Sequence, residues 1–367
     1  DITVQGDGAL VLAGPSRQTV ATVTIDHVAL TRVNGTTGAL DTTFDTDGIV
    51  TFLPGLTATN GGGGDPRAVV VQPADQKLVV AGTWKASLAA SRQLFVARLD
   101  TNGALDSSFG SAGVVLLTPA GVTDPVANAV ALRGDGSIII VGTGTASAAS
   151  VGFVTGLTST GAAIPGFSDA VVPNPLAAPE GSGFGLNAVV VLSGDSILAA
   201  GGGGDLTLAQ FTSTGAPDTA FDADGIATFN VLTFETAQGA SSSFDVGTAL
   251  TTLADGRILI AGRTVSSSSP TNTNRVLARV SSAGALDTTF GSGGFAPLPD
   301  QGNGEVVEGL GVRTSGDIVL VGQGFSPTQV SPNGIALSTI AGPPTLSTLA
   351  DLEILADGDV AGAGLRT

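Results

Sequence analysis

The sequence predicts an all-β fold, a β-propeller of four-stranded antiparallel blades. Three observations predict it. A strand–turn–strand unit ending in Gly recurs along the chain, a second hairpin unit follows most copies, and the composition suits short strands joined by many turns. The 367 residues include 54 Gly, are 42% hydrophobic and only 12% charged. Enough apolar area is therefore available to offset the entropy of ordering the chain. The length exceeds one ordinary core, and the internal repeat accounts for it. A single domain over residues 1–367 is expected, with seven blades, six being the alternative.

The first unit supplies strands A and B. Its copies are Ile2–Gly14, Val69–Gly82, Ala129–Gly142, Ala188–Gly201, Ala249–Gly262, Leu310–Gly322 and Leu352–Gly362. The turns carry Asp7-Gly8, Asp135-Gly136, Asp255-Gly256 and Asp357-Gly358, where a tight hairpin needs positive φ. Gly194-Asp195 and Gly316-Asp317 reverse the order, and Asp75-Gln76 lacks the Gly. The second unit supplies strands C and D. Strand C is expected at Val28–Val33, Phe95–Leu99, Val151–Leu157, Leu206–Phe211 and Val276–Val280. Strand D is expected at Ile49–Phe52, Val114–Leu117, Ala170–Val172, Ile226–Phe229 and Phe295–Leu298. Between them lies GALDTTF at Gly38–Phe44 and Gly284–Phe290, GALDSSF at Gly103–Phe109, GAPDTAF at Gly215–Phe221 and the degenerate GAAIPGF at Gly161–Phe167. A degraded sixth C–D unit is expected around Ile335–Leu349. The tight A–B hairpins argue against a parallel β-helix, and no 3.6-residue apolar period supports a helical solenoid.

These residues resemble the delta-60 repeat family of exported bacterial proteins, whose pattern is D-G-K/R-I-L-V-A-G, then A-R-L, then G-x-L-D-x-x-F-G-x-G-G. Asp255–Gly262, Ala278–Val280 and Gly284–Gly294 carry it almost throughout. The sequence departs from it at Ile164-Pro165, at Asp45 and Asp222, and beyond Gly324. The resemblance implies a propeller-like fold and export, and no reaction.

Candidate sites follow from the motifs. Phe44, Phe109, Phe167, Phe221 and Phe290 recur at a constant offset, as residues plugging the gap between neighbouring blades would. Asp41, Asp106, Asp218 and Asp287, each followed by Thr or Ser, read as side-chain caps on the turn. Asp45-Thr46-Asp47-Gly48 and Asp222-Ala223-Asp224-Gly225 resemble the opening of a calcium loop, so Asp45, Asp47, Asp222 and Asp224 are candidate calcium ligands, with turn chemistry as the simpler reading. His27, the only His, is expected as a surface residue at a strand edge, and Trp84 as a partly exposed packing residue. The Gly61–Gly64 and Gly201–Gly204 runs lack the helix and Lys of a phosphate cradle and read as loops or strand ends.

Function is bounded mainly by exclusion. A net charge of −17 and the lack of a basic cluster exclude nucleic acid as a partner. No apolar run is long enough to span a membrane as a helix. With no Cys, no Tyr and one His, the sequence offers no nucleophile and base pair, so no enzyme is expected. The expectation is a non-catalytic, secreted extracellular or cell-surface module for structure or adhesion, self-associating or binding a protein partner; a cleaved leader or a trimmed chain would explain a start inside a strand at Asp1. Its interaction face is assigned to the variable B–C and D–A loops at Leu53–Asp65, Thr83–Arg92, Pro173–Gly183, Val231–Ser243 and Thr264–Asn274. A carbohydrate-binding propeller is the alternative, and a propeller enzyme the third.

Overall fold

The structure, a computed structural model, describes residues 1–20, 22–55, 58–59, 61–175, 183–231, 243–266, 273–299, 301, 304–339, 348–354 and 360–365. The chain folds as a β-propeller of antiparallel blades. It divides into two compact units, Asp1–Val172 and Pro173–Thr367.

In the first unit, blade 1 is β1 (Ile2–Val4), β2 (Leu10–Val20), β3 (Val23–Val33) and β4 (Ile49–Phe52). Blade 2 is β5 (Gly63–Val71), β6 (Leu78–Lys85), β7 (Gln93–Leu99) and β8 (Val114–Leu117). Blade 3 is β9 (Thr123–Leu132), β10 (Ile138–Ala146), β11 (Ala149–Leu157) and β12 (Ala170–Pro173). Each is an up-and-down meander in sequence order, as short connections dictate.

In the second unit, blade 4 is β13 (Gly185–Val191), β14 (Ile197–Gly204), β15 (Leu206–Phe211) and β16 (Ile226–Phe229). Blade 5 has β17 (Ser243–Thr252), β18 (Ile258–Ser266) and β19 (Thr273–Val280). Its expected fourth strand at Phe295–Leu298 is reduced to a single bridge, Ala278 to Phe295, because Gly291, Gly293 and Gly294 all take positive φ ahead of it and Pro297 lacks a donor. Blade 6 is β20 (Val306–Val312), β21 (Ile318–Gln323), β22 (Thr328–Val330) and β23 (Ala336–Thr339). Its C–D hairpin begins upstream of the expected Ile335–Leu349, with β23 inside that span, and turns on Gly334 at φ +83° without a Phe in the loop. A last hairpin, β24 (Thr348–Ile354) and β25 (Val360–Leu365), follows, and its Asp357-Gly358 turn lies outside the described residues.

Apolar residues from facing sheets form layers between consecutive blades. Val80, Leu78 and Leu99 of blade 2 pack with Val28, Leu30 and Phe44 of blade 1. The other sheet face, with Val79, Leu94 and Val96, packs on Ile138, Ile140 and Phe153 of blade 3. Blades 4 and 5, and 5 and 6, repeat the arrangement. The central strands are hydrophobic on both faces for this reason. The glycine run at Gly201–Gly204 belongs to strand β14, not a loop: a Cβ on Gly202 would stand 2.3 Å from the Asp245 carbonyl, so only Gly lets β14 meet β17 of the next blade.

Candidate functional site

At the C–D turns the repeated residues assemble into one device. The turn Asp caps its own loop: Asp106 Oδ1 accepts the Ser108 N–H at 3.0 Å and the Ser108 hydroxyl at 2.7 Å. Asp41 with Thr43 and Asp287 with Thr289 do the same. Its other oxygen holds a cation from the end of strand C. Arg32 Nε donates to Asp41, Arg98 Nε to Asp106 and Arg279 Nε to Asp287, each at 2.8 Å. In blade 4 Gln210 takes this place and donates to Asp218, also at 2.8 Å.

Each guanidinium then lies over the loop Phe. The distance to the ring centroid is 5.0 Å for Arg32 over Phe44 and Arg98 over Phe109, and 4.6 Å for Arg279 over Phe290. The Phe is a knob for the next repeat. A Cβ on Gly103 would sit 3.2 Å from the Phe44 ring. Gly161 stands in the same relation to Phe109, Gly284 to Phe221 and Gly334 to Phe290. These glycines have positive φ, so Gly serves both the turn and the close approach. A backbone link flanks each of these knobs, and an Arg link joins it in blades 1, 2 and 5. The residue after Phe donates its N–H to the carbonyl before the socket Gly: Asp45 to Asn102, Gly110 to Thr160, Asp222 to Ala283 and Gly291 to Asn333. The Arg reaches the carbonyl one residue earlier: Arg32 Nη1 to Thr101 at 2.6 Å, Arg98 to Ser159, and Arg279 to Pro332 at 2.5 Å.

The electrostatics follow from these contacts. The Ser108 hydroxyl, then Lys77, then the Ser108 amide and Arg98 hold the Asp106 carboxyl well below the ordinary carboxylate range. Thr289, Arg257 and Arg279 do so for Asp287, and Thr43 with Arg32 for Asp41. These carboxylates stay ionised and occupied as structural acceptors.

Four of the five repeated Phe are 0–1% exposed. Phe167 departs from the expectation: it is half-buried and stacked at 5.3 Å by Arg133 of the preceding A–B turn, because Gly156 stands where the other blades place Arg or Gln. Asp45 and Asp222, the candidate calcium ligands, take φ of +46° and +44°, the conformation that Gly110 and Gly291 adopt at the same point. The D-x-D-G turn thus positions a backbone N–H for the next repeat. Asp47 and Asp224 accept from the N–H of Ile49 and Ile226, and among the described residues no three His, Asp or Glu side chains gather to hold a metal.

His27 lies inside strand β3, cross-strand from Ser16, rather than at a strand edge; it is half-buried, and its buried Nδ1 has no hydrogen-bond partner among the described residues. Trp84 is 4% exposed, not partly exposed: it fills the core between blades 1 and 2, its ring against Gly55. No face of it is free to stack on a sugar.

The opposite end of each blade carries the variable connections. Residues 176–182, 232–242 and 267–272 of these loops lie outside the described residues. Among the rest, β6 and β7 leave residues 86–92, with Leu88 73% exposed, whereas β10 and β11 turn on Ser147 and Ala148 alone, at φ +49° and +65°. Strands extend further into these loops than the hydrophobic pattern predicts, as with the Arg17–Asp26 pair near the tip of β2 and β3. Buried chemistry invisible in the sequence also sits here: Arg275 Nε donates to Glu305 at 3.0 Å, both side chains at most 1% exposed, with Phe325 beneath the guanidinium.

Two stretches, residues 74–109 and 253–290, match the family described as a domain of unknown function, DUF5122, a β-propeller. Each stretch runs from an A–B turn to a knob Phe. No curated protein matches the chain. Among solved structures, the chain is similar to a catalytically inactive virginiamycin B lyase from Staphylococcus aureus solved with quinupristin, at 13% identity and a TM-score of 0.52, covering 98% of this chain and 90% of that one. It is similar to the polysaccharide lyase Uly1 at 11% identity and a TM-score of 0.50, covering 100% and 87%. At such identities the likeness is one of fold, which does not carry chemistry with it.

Proposed function

We propose that this chain is a non-catalytic interaction module, a delta-60-type repeat protein of an exported or surface assembly that binds a protein partner or further copies of itself. The observation that carries this reading is the division of labour along each blade. At the C–D end, the recurring Asp, Arg and Phe are committed to one another and to the neighbouring repeat. The other end varies from a two-residue turn to long loops, on a scaffold that does not change with them. Among the described residues, no hydrogen-bond partner orients the Nδ1 of His27, which is half-buried in a strand interior. The carbohydrate alternative loses its aromatic platform with Trp84 in the core.

Two measurements test the reading. Mass by light scattering, with negative-stain imaging, is expected to show association, and repeating it in calcium and in chelator decides whether Asp45, Asp47, Asp222 and Asp224 bind the ion. Short neutral loops grafted in place of residues 86–92 and 231–243 should abolish partner binding and leave the melting temperature unchanged. A strict monomer with a measurable turnover on a glycan, lost on loop grafting, would overturn the proposal.

A further inference from the structure

The knob-and-socket contact has a direction: blades 1, 2, 4 and 5 present a Phe forward, to a Gly of the blade that follows. Four sockets are occupied, by Phe44, Phe109, Phe221 and Phe290. The first is open. Gly38 is the blade 1 counterpart of Gly103, in the same G-A-L-D loop and with the same sign of φ, +67° against +91°. Gly103, Gly284 and Gly334 are buried and Gly161 is half-buried, but Gly38 is exposed and a Cβ there would meet nothing within 4 Å. Leu40 beside it is 49% exposed, whereas its counterparts Leu105 and Leu286 are packed against the core. The polar half of the contact is open as well. The Thr36 and Thr37 carbonyls correspond to those of Thr101 and Asn102, which receive the Arg32 guanidinium and the Asp45 N–H; among the described residues no hydrogen bond reaches Thr36 or Thr37 oxygen.

We propose that the Gly38 turn is a docking site for the C–D hairpin of a repeat of this same kind on another polypeptide. The inference deepens the interaction-module reading and rests on it. The complement is specified by the occupied junctions: a Phe ring over Gly38, an Arg held by the turn Asp and aimed at the Thr36 carbonyl, and a left-handed residue after the Phe donating to the Thr37 carbonyl. None of Phe44, Phe109, Phe221 and Phe290 is the occupant, since each is 0–1% exposed and already seated, and the Phe167 ring lies under Arg133. Each docking contact continues an interface that this chain builds four times over.

The test uses the full chain and a synthetic hairpin of its residues 273–298, which carries Arg279, Asp287 and Phe290. Amide exchange over residues 34–41 is followed by mass spectrometry and should slow by about tenfold when the hairpin docks. Because an isolated hairpin is marginally stable, the same hairpin is also joined ahead of Asp1 by a flexible Gly/Ser linker, bringing its effective concentration to the millimolar range. Phe290→Ala in the hairpin should remove the protection. So should Gly38→Asn in the chain, since Asn accepts the left-handed conformation yet places a Cβ where the ring must lie. The melting temperature of the unfused Gly38→Asn chain should not move, as nothing touches the site. If the joined hairpin leaves residues 34–41 exchanging as before, or protects them equally with Gly38→Asn, the proposal is overturned. The loop grafts act at the opposite end of the blades. Loss of partner binding on grafting, with no response to the hairpin, would therefore refute this inference while leaving the interaction-module reading standing.

Discussion

Replacing Phe109 by Ala removes one knob from the middle of the first unit. The ring is fully buried, packs in the layer between blades 2 and 3, lies on Gly161 and is covered by Arg98 at 5.0 Å. Truncating a buried Phe costs about 3–5 kcal/mol through lost transfer free energy and the cavity left behind. Loss of the cation–π contact adds about 0.5–1 kcal/mol. The socket is rigid backbone, so relaxation into the cavity is small and the upper half of the range is expected, about 4–5 kcal/mol. In a unit of this size that corresponds to a fall in melting temperature of roughly 10 °C or more. Denaturant titration supplies the free energy, and hydrogen exchange locates it, with faster exchange expected in β9–β12 and in β7 and β8. Phe167→Ala is the internal comparison. That side chain is half-buried, so about half the loss is expected. Equal losses for the two variants, or a loss below about 1 kcal/mol for Phe109→Ala, would refute the assignment of the buried Phe as the inter-blade fastener.

Four further outcomes follow. Arg98→Ala leaves Asp106 without its guanidinium and the Ser159 carbonyl without a donor, and should cost about 3 kcal/mol in denaturant titration. Gln210→Arg should instead stabilise the second unit by about 1 kcal/mol, by adding to blade 4 the charge-assisted bond to Asp218 that the turns of blades 1, 2 and 5 have. In acid, Asp41, Asp106 and Asp287 are held ionised in the folded state while the unfolded chain protonates near the ordinary value of about 3.9. The unfolded state therefore binds more protons there. Their contribution is complete above about pH 5 and is lost as pH falls towards the folded values; the double variant Asp106→Asn, Asp287→Asn should flatten this limb of a stability–pH curve, and an unchanged limb would contradict the assignment. The fluorescence of Trp84 should be blue-shifted, resist acrylamide quenching and ignore added glycans, whereas quenching as of a free indole would show the ring to be exposed.

Most strands were legible because burial on both sheet faces writes itself as β-branched runs, as in Ile138–Val141 and Leu78–Ala81. The turns were legible because positive φ selects Gly and Asp. Gln76 shows the limit: it takes φ +59° with no Gly, and its side-chain oxygen accepts the Gly6 N–H at 2.6 Å, so a contact between A–B turns replaces local chemistry. The Phe knobs could be read, but not their sockets, since the paired Gly lies a repeat away. The Arg was missed although a signal existed: Arg98, Gln210 and Arg279 each stand eight residues before the turn Asp, and Arg32 nine before, its loop being one residue longer. The buried Arg275–Glu305 pair left no such trace, because it joins positions 30 apart that occur once. Polar strand ends such as Arg17–Val20 were invisible to a hydrophobic pattern because their pairing rests on the backbone ladder rather than on burial.

The fastening of one repeat to the next fixes position by touch, not by spacing. Between a knob and its socket the chain runs through the D segment, a connection, a whole A–B hairpin and strand C, and the length of that path differs at every junction while the contact stays the same. Lengthening such a path costs little, about 0.6 kcal/mol for each doubling of a flexible loop. Insertions between Phe44 and Gly103, or between Phe221 and Gly284, can therefore accumulate without shifting a blade. The protein can rewrite the surface it shows at one end while the other end keeps the count.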